Sequence, residues 1–552
     1  MLYSAEFIVP AVFLFFAIML VPRVRVWLRL KSLRFRKGGV FFMERGQGAA
    51  TFRPIFEEAE RAMEALGFEH CCTSTVTPLW TSEPPKQIMA FAHKQAMAFA
   101  IVLPPTIPNG KVPFEVHFQT LFDDGTVLST VDGISLSIPA YPDWFKLEDP
   151  GVGDYIKQWE AHQNSCESRE SNPMPATIEN YMELERRFGS ETIPNMEARG
   201  DLIHADEPFQ WRLTSSKAWA LSMQMIKGEQ NMMAQAQTVA APQTRFSGNA
   251  LMAAEIAAYD RHQKAEEFFS SGSQGKIGRF ILSAAAFVAA FTWLWSFENA
   301  LLLLLVIFIH EIGHYLAMGL FGYKNRQVFF VPFLGAATMG AKDDATIMQR
   351  VWVLLGGPAP GLLLGVICML LFFHTHNDFM LMLGAMFLVI NYLNLLPITP
   401  FDGGKILDAL FFDRFPRAQF FFFLGSIFIL ASCGLLLSEP ILLFIAVIFS
   451  FGIKAKWRQG SLAKKAMAAL PPKAGEAITK KVVFKTLQED AVGNGPYSQR
   501  LRLANTLIKL LGAPKPTQLE LVKGALIYVG VLILPLIIVL LFFLQNANIA
   551  TP

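Results

Sequence analysis

The sequence predicts a polytopic α-helical membrane protein of about eight transmembrane helices, with an α+β region inserted between the first and second spans. Three observations predict it. Hydrophobic residues make up 53% of the 552 residues and charged residues only 17%, with a mean hydropathy of +0.36, whereas water-soluble chains are about a quarter charged. Eight apolar runs approach the roughly 20 residues that a helix needs to cross a bilayer. Lysine and arginine are confined to alternate connections between those runs.

The runs lie near 7–22, 279–296, 300–320, 351–373, 379–396, 419–436, 441–453 and 524–545, the first and seventh being short and the seventh equally suiting half of a membrane hairpin. A cleavable secretion signal carries positive charge in front of its apolar core. Here Glu6 stands in front, while Arg23, Arg25, Arg29, Lys31, Arg34, Arg36 and Lys37 follow. Basic flanks stay cytoplasmic, so the amino terminus is expected outside. The connections then expected outside, around Glu298, His374–Asp378 and Ser438–Pro440, contain no Lys or Arg. Those expected inside hold Lys324, Arg326, Lys342, Arg350, Arg414, Arg417, Lys454, Lys456, Arg458, Lys464 and Lys465. A signal-anchor start without an organelle presequence points to a bacterial cytoplasmic membrane.

Five regions follow. Residues 1–39 form a signal-anchor span with its basic flank, and 40–275 a soluble cytoplasmic α+β region. Within the latter, Ile55–Leu66 is amphipathic, and strand-like runs Phe114–Phe122 and Thr126–Val131 flank Asp124-Gly125, a hairpin turn signal. From about Val152 the chain is polar and helix-rich, and Ser270–Gly275 reads as a flexible tether. Residues 276–453 are the membrane core, 454–523 a basic helical region, and 524–552 a final transmembrane helix. In the basic region Leu501, Leu503, Leu507 and Leu510 form a near-helical stripe, read as packing rather than a cofactor site. The net charge of +3 gives no case for a nucleic-acid partner, and Cys71, Cys72, Cys166, Cys368 and Cys433 form no C-x-x-C pair. All five are read as reduced and structural.

The third run ends in His310-Glu311-Ile312-Gly313-His314. Four residues are about one helical turn, so both imidazoles leave one face and reach one metal ion. Glu311, beside the first, stands where a general base would. The plain alternative, histidines satisfied in a core, is costly in lipid: an ionisable group there costs about 2.5–3.5 kcal/mol on insertion scales. With no basic partner in the same turn, a divalent cation supplies the missing charge. A further ligand at similar depth is available after the fifth run, where Asn394-Leu395-Leu396-Pro397-Ile398-Thr399-Pro400-Phe401-Asp402-Gly403-Gly404 breaks the helix. Broken backbone at membrane depth is tolerated where protein or a watery cavity receives it. Runs three and five enter from the same side, so Asp402 is expected to meet His310 and His314 in the inner half of the bilayer.

These residues, H-E-x-x-H in an apolar run and N-x-x-P-x-x-x-x-D-G some ninety residues later, resemble the site-2 protease family of intramembrane metalloproteases over about residues 300–410. The resemblance implies a site-2-protease-like core binding one Zn2+ per chain through His310, His314 and Asp402. Glu311 would be the catalytic base and Asn394 a substrate-binding or oxyanion-contacting residue. It implies a transmembrane protein substrate within the lipid bilayer, cut in regulated intramembrane proteolysis. Gly357-Pro358-Ala359-Pro360-Gly361 matches the G-P-x-x-G form of some branches, although many members carry asparagine where this chain has Gly361; small residues there also let helices approach closely. Gln327–Gly340 resembles the family's re-entrant strand pair near 327–340, and its composition equally suits an amphipathic loop. His374 and His376 read as interfacial loop residues. Two other classes fit parts of the pattern: a transporter or channel with polar residues along its pathway, and a catalytically silent metal-binding scaffold.

Overall fold

The computed structural model describes residues 23–24, 26–43, 52–79, 85–105, 108, 112–132, 141–224, 246–271, 274–331, 335–342, 344–412, 415–438, 440–471, 474–490, 497–512 and 517–549. The expected first span, near 7–22, lies outside them. The chain divides into two compact units, 1–272 with 487–502, and 273–486 with 503–552.

The first unit is built on a seven-stranded sheet in sequence order, β1 (Gly39–Met43), β2 (Glu69–Thr77), β3 (Lys86–His93), β4 (Ala98–Leu103), β5 (Glu115–Leu121), β6 (Val127–Val131) and β7 (Phe145–Glu148). All neighbours pair antiparallel except β6 with β7. The β5–β6 connection is the expected turn: Asp124 Oδ1 accepts from Thr126 N at 2.8 Å, and Gly125 takes a φ of 77°, which favours glycine. Helix α1 (Arg53–Ala65) buries Ile55, Ala59 and Met63 in a core with Phe91, Phe118 and Trp159. Helices α2 (Tyr155–Glu167) and α3 (Ile178–Ala198), a small hairpin β8–β9 (Leu202–His204 and Trp211–Leu213) and α4 (Gly248–Ser271) complete the polar half. On α2, buried His162 bridges the threonine hydroxyls of β5 and β6, Thr120 at 3.0 Å and Thr130 at 2.8 Å. Arg500 closes a buried ion pair with Glu255 of α4 at 2.7 Å, which ties residues 487–502 to this unit.

The second unit is helical. It contains α5 (Gln274–Leu294), α6 (Phe297–Leu320), a hairpin β10–β11 (Lys324–Val331 and Gly335–Ala341), α7 (Ile347–Gly356), α8 (Pro358–Thr375) and α9 (Asp378–Leu395). After these come α10 (Asp402–Leu407), a π-turn (Asp408–Phe412), α11 (Pro416–Leu436), α12 (Pro440–Ser450) and α13 (Ile453–Ala469). Helices α14 (Glu476–Gln488) and α15 (Tyr497–Gly512) share residues with both units, and α16 (Gln518–Ile549) ends the described chain.

Five helical segments among the described residues are long and apolar enough to cross a membrane: Phe297–Leu320, Ile347–Thr375, Asp378–Leu395, Pro416–Leu436 and Gln518–Leu544. The second of these is α7 and α8 in series, interrupted at Gly357. In α5 the apolar stretch is Phe280–Thr292.

One expectation is corrected and one left open is narrowed. The run at 441–453, open between a short span and half of a membrane hairpin, is α12 of 11 residues, about 16 Å of helix against about 30 Å of hydrocarbon. It doubles back on α11, where Gly434 leaves room for Leu443. The tether expected at 270–275 is largely helical, because α4 runs to Ser271 and α5 begins at Gln274. The Gln327–Gly340 segment, open between strand pair and loop, is a strand pair in which Val331 faces Gly335 in register.

Candidate metal centre

Helix α6 starts on Ser296, whose hydroxyl accepts from Asn299 N at 3.3 Å, and carries His310, Glu311 and His314 down its second half. Its approach to α7 is very close: a Cβ at Gly313 would lie 2.0 Å from the Gly356 carbonyl oxygen. Helix α9 stops at Leu395, as the residue before Pro397 disfavours continued helix. The chain turns through 396–401, including a cis Thr399–Pro400 bond, and restarts as α10 with Asp402 in its first turn. That turn is packed too tightly for side chains: Cβ atoms at Gly403 and Gly404 would lie 2.1 Å from Leu395 O and 2.3 Å from Ile398 C. Tyr528 of α16 donates its hydroxyl to Leu395 O at 2.6 Å, satisfying a carbonyl at the broken end of α9.

The break brings Asp402 to the histidines. Asp402 Oδ2 lies 3.2 Å from His310 Nε2 and 3.0 Å from His314 Nε2, and the two Nε2 atoms are 3.1 Å apart. All three side chains are buried, with 4%, 7% and 4% exposure for His310, His314 and Asp402. They are the one group of three or more potential metal ligands found among the described residues. The other ring nitrogens face acceptors: His314 Nδ1 donates to Val353 O at 2.7 Å, and His310 Nδ1 to Asn391 Oδ1 at 2.9 Å. With the ring protons committed there, both Nε2 atoms present lone pairs to one another and to a carboxylate.

The group suits a divalent cation. Ligands at 2.0–2.2 Å in tetrahedral array stand about 3.3 Å from one another, close to the three separations seen. Gly357 provides the space, since a Cβ there would lie 2.3 Å from His314 Nε2. Two imidazoles and a carboxylate are a donor set for zinc, and three protein ligands leave a fourth position open, as catalytic sites do.

Glu311 is 6% exposed, and its Oε2 accepts from Thr338 Oγ1 of β11 at 2.7 Å. The same hydroxyl lies 3.0 Å from Glu311 O, so the hairpin is tied to the helix turn that carries the carboxylate. Lys405, one turn after Asp402, sets its ammonium 3.1 Å from Asp402 Oδ1. Asn394 stands apart from these contacts in one respect: its amide donates to Ile390 O of its own helix at 3.0 Å. Sequence reasoning named His310, Glu311, His314 and Asp402, which the structure gathers, but passed over Asn391, Thr338, Lys405 and the Val353 carbonyl. For Asn391 a signal existed: an amide within an apolar span needs a partner.

A buried two-histidine, one-carboxylate group with a glutamate beside its first histidine, on helices long and apolar enough to cross a membrane, is a candidate metallopeptidase centre. Comparison with known proteins agrees. Residues 298–377 match the family described as Peptidase family M50. Stage IV sporulation protein FB of Bacillus subtilis is 32% identical over 134 residues, covering 23% of this chain and 46% of that protein. A zinc metalloprotease of Methanocaldococcus jannaschii is 25% identical over 168 residues, covering 29% of this chain and 49% of that one. The chain spans about half the length of the curated relatives it matches. A solved structure, the site-2 protease from the same archaeon, is 20% identical over 32% of this chain and 88% of its own, with a TM-score of 0.25. The family match falls on the part of the chain that carries His310-Glu311-Ile312-Gly313-His314, and over that part the chain resembles the site-2 protease family.

Proposed function

We propose that this chain is a zinc endopeptidase that hydrolyses peptide bonds of transmembrane protein substrates within the bilayer, in regulated intramembrane proteolysis. One observation carries the reading: His310, His314 and Asp402 converge as three buried lone-pair donors beside Glu311. When bound, zinc supplies Lewis acidity toward the scissile carbonyl and toward water. His310, His314 and Asp402 would hold it, one ion per chain. Glu311 takes the proton of the attacking water and delivers it to the departing amide nitrogen. Thr338 holds one oxygen of that carboxylate, leaving the other for the proton. Burial of His310, Glu311, His314 and Asp402 limits the access of bulk water to the reacting groups.

A substrate helix hides its amides in its own hydrogen bonds and must unwind to be cut. Strand β11 pairs with β10 and with no other strand among the described residues, and an unwound segment would be held by backbone pairing along this hairpin. Asn394 would contact that segment or the developing oxyanion. The amino terminus outside and the sheet unit in the cytoplasm rest on the distribution of basic residues, and residence in a bacterial inner membrane is proposed with them.

The test is Glu311→Gln in the full-length protein, assayed against single-span reporter substrates. The variant is expected to stay folded and zinc-loaded without cutting. Cleavage at the wild-type rate would remove Glu311 from the chemistry.

A further inference from the structure

We infer that Asn391 is a positioning residue of the metal centre, and that position 361 is glycine because the Asn391 carboxamide fills the space of its side chain. The inference rests on the metallopeptidase reading in one respect, that His310 is a metal ligand.

Asn391 is fully buried, at 0% exposure, in the apolar helix α9. Its Nδ2 donates to Phe387 O at 2.7 Å, one turn back on the same helix. That bond decides which end of the amide faces which way, because a carbonyl accepts from NH2 and not from an amide oxygen. Oδ1 therefore faces His310 Nδ1 at 2.9 Å. An amide oxygen accepts, so Nδ1 carries the ring proton and Nε2 is left with its lone pair directed at His314 Nε2 and Asp402 Oδ2. Asn391 thus sets both the tautomer and the plane of one ligand. His314 is oriented by the backbone carbonyl of Val353, which a side-chain change leaves in place. The support of His310 comes from a side chain and is open to test.

Gly361 lies on α8 against that carboxamide. A Cβ at this position would stand 2.2 Å from Asn391 Nδ2 and 2.5 Å from both Cγ and Oδ1, and these are its three nearest atoms. Added volume at 361 therefore acts on the site through Asn391. The amide is held on both sides, by Phe387 and by His310, so it cannot yield without releasing one of them.

The experiment measures zinc affinity of the full-length protein in detergent by competition with a chromophoric chelator, together with the absorption spectrum of the cobalt(II)-substituted protein. Asn391→Ala is expected to weaken zinc binding by about 10–100-fold and to alter the cobalt spectrum, as loss of an outer-shell partner does. Asn391→Leu, which keeps the volume but offers Nδ1 no acceptor, is expected to lose about as much as Asn391→Ala, whereas a mere packing role would leave it near wild type. Gly361→Ala, which leaves Asn391 and all ligands in the sequence, is expected to lose a similar factor. In the Asn391→Ala background, where the methyl group has room, the same change is expected to cost nothing further. Wild-type affinity and spectrum in Asn391→Ala would overturn the inference, and so would a Gly361→Ala loss that adds in full to that of Asn391→Ala. If instead the wild type takes up no zinc, or His310→Ala holds it as tightly as wild type, the metallopeptidase reading falls first and takes the inference with it.

Discussion

Gly357→Ala is a demanding test of the metal centre, because it alters no ligand and no hydrogen-bonding group. The β-carbon it adds would stand 2.3 Å from His314 Nε2, 2.6 Å from Cε1 and 2.7 Å from Cδ2, where ordinary contact begins at 3.4 Å. The ring must withdraw by about 1 Å, while zinc–ligand distances tolerate only about 0.2 Å. Withdrawal is opposed by the bond from His314 Nδ1 to Val353 O at 2.7 Å, which anchors the far side of the ring. Either that bond breaks or Nε2 leaves its place beside Asp402. We expect zinc affinity to fall by more than about 100-fold, or about 2.7 kcal/mol. Overpacking of the helix contact should cost a further 1–3 kcal/mol or so of stability. The assay is chelator competition alongside a thermal melt, with Gly425→Ala on α11, where a methyl group meets nothing within 4 Å, as the control. A folded Gly357→Ala protein that binds zinc within about threefold of wild type would refute the argument.

Two further predictions concern charge. Lys405 neutralises the Asp402 oxygen that does not face the histidines, but its side chain is 54% exposed, so its share is screened. Lys405→Met should cost less than about tenfold in zinc affinity by chelator competition, and a loss beyond about 100-fold would contradict that. In the sheet unit, burial and then the charge of Arg169 push the His162 imidazole down from 6.5 to about 3. The folded state thus refuses a proton that the unfolded state accepts, so stability is full above pH 6.5 and falls as pH drops toward 3. At pH 5 the loss is about 2 kcal/mol. Buried carboxyls act the other way, burial raising Asp132 to about 6, so the quantity to measure is the difference between wild type and His162→Gln. Hydrogen exchange of the β5 and β6 amides in the full-length protein should show wild type losing protection between pH 7 and 5 faster than the variant; parallel curves would sink the assignment.

Much of the membrane core was legible because lipid leaves few choices. Five of the six expected runs from 300 onward fall on long apolar helices among the described residues, since continuous hydropathy has one solution there. The meeting of Asp402 with His310 and His314 was readable from H-E-x-x-H, the Pro397–Pro400 break and the shared direction of two runs. What periodicity cannot supply is contact between helices. Asn391, an amide in an apolar run, and Gly361, the last residue of G-P-x-x-G, each stand out singly, but their contact emerges only when α8 and α9 are packed together. The brace from Tyr528 to Leu395 joins residues 133 positions apart, beyond the reach of a local pattern. The 441–453 run stayed open in the sequence because its apolarity suits a span while its length, 11 helical residues, suits half of a hairpin. In the sheet unit, Asp124-Gly125 announced its hairpin, whereas Asp132-Gly133 after β6 offered the same signal and β6 pairs with β7 in parallel instead.

The central claim is that His310, His314 and Asp402 hold one zinc ion together, and elemental analysis of purified protein tests it most directly. Wild type should carry one zinc per chain after dialysis against a weak chelator, and His310→Ala and Asp402→Ala should each carry almost none while remaining folded. Zinc retained in full by Asp402→Ala, or absent from the wild type after reconstitution, would contradict the account.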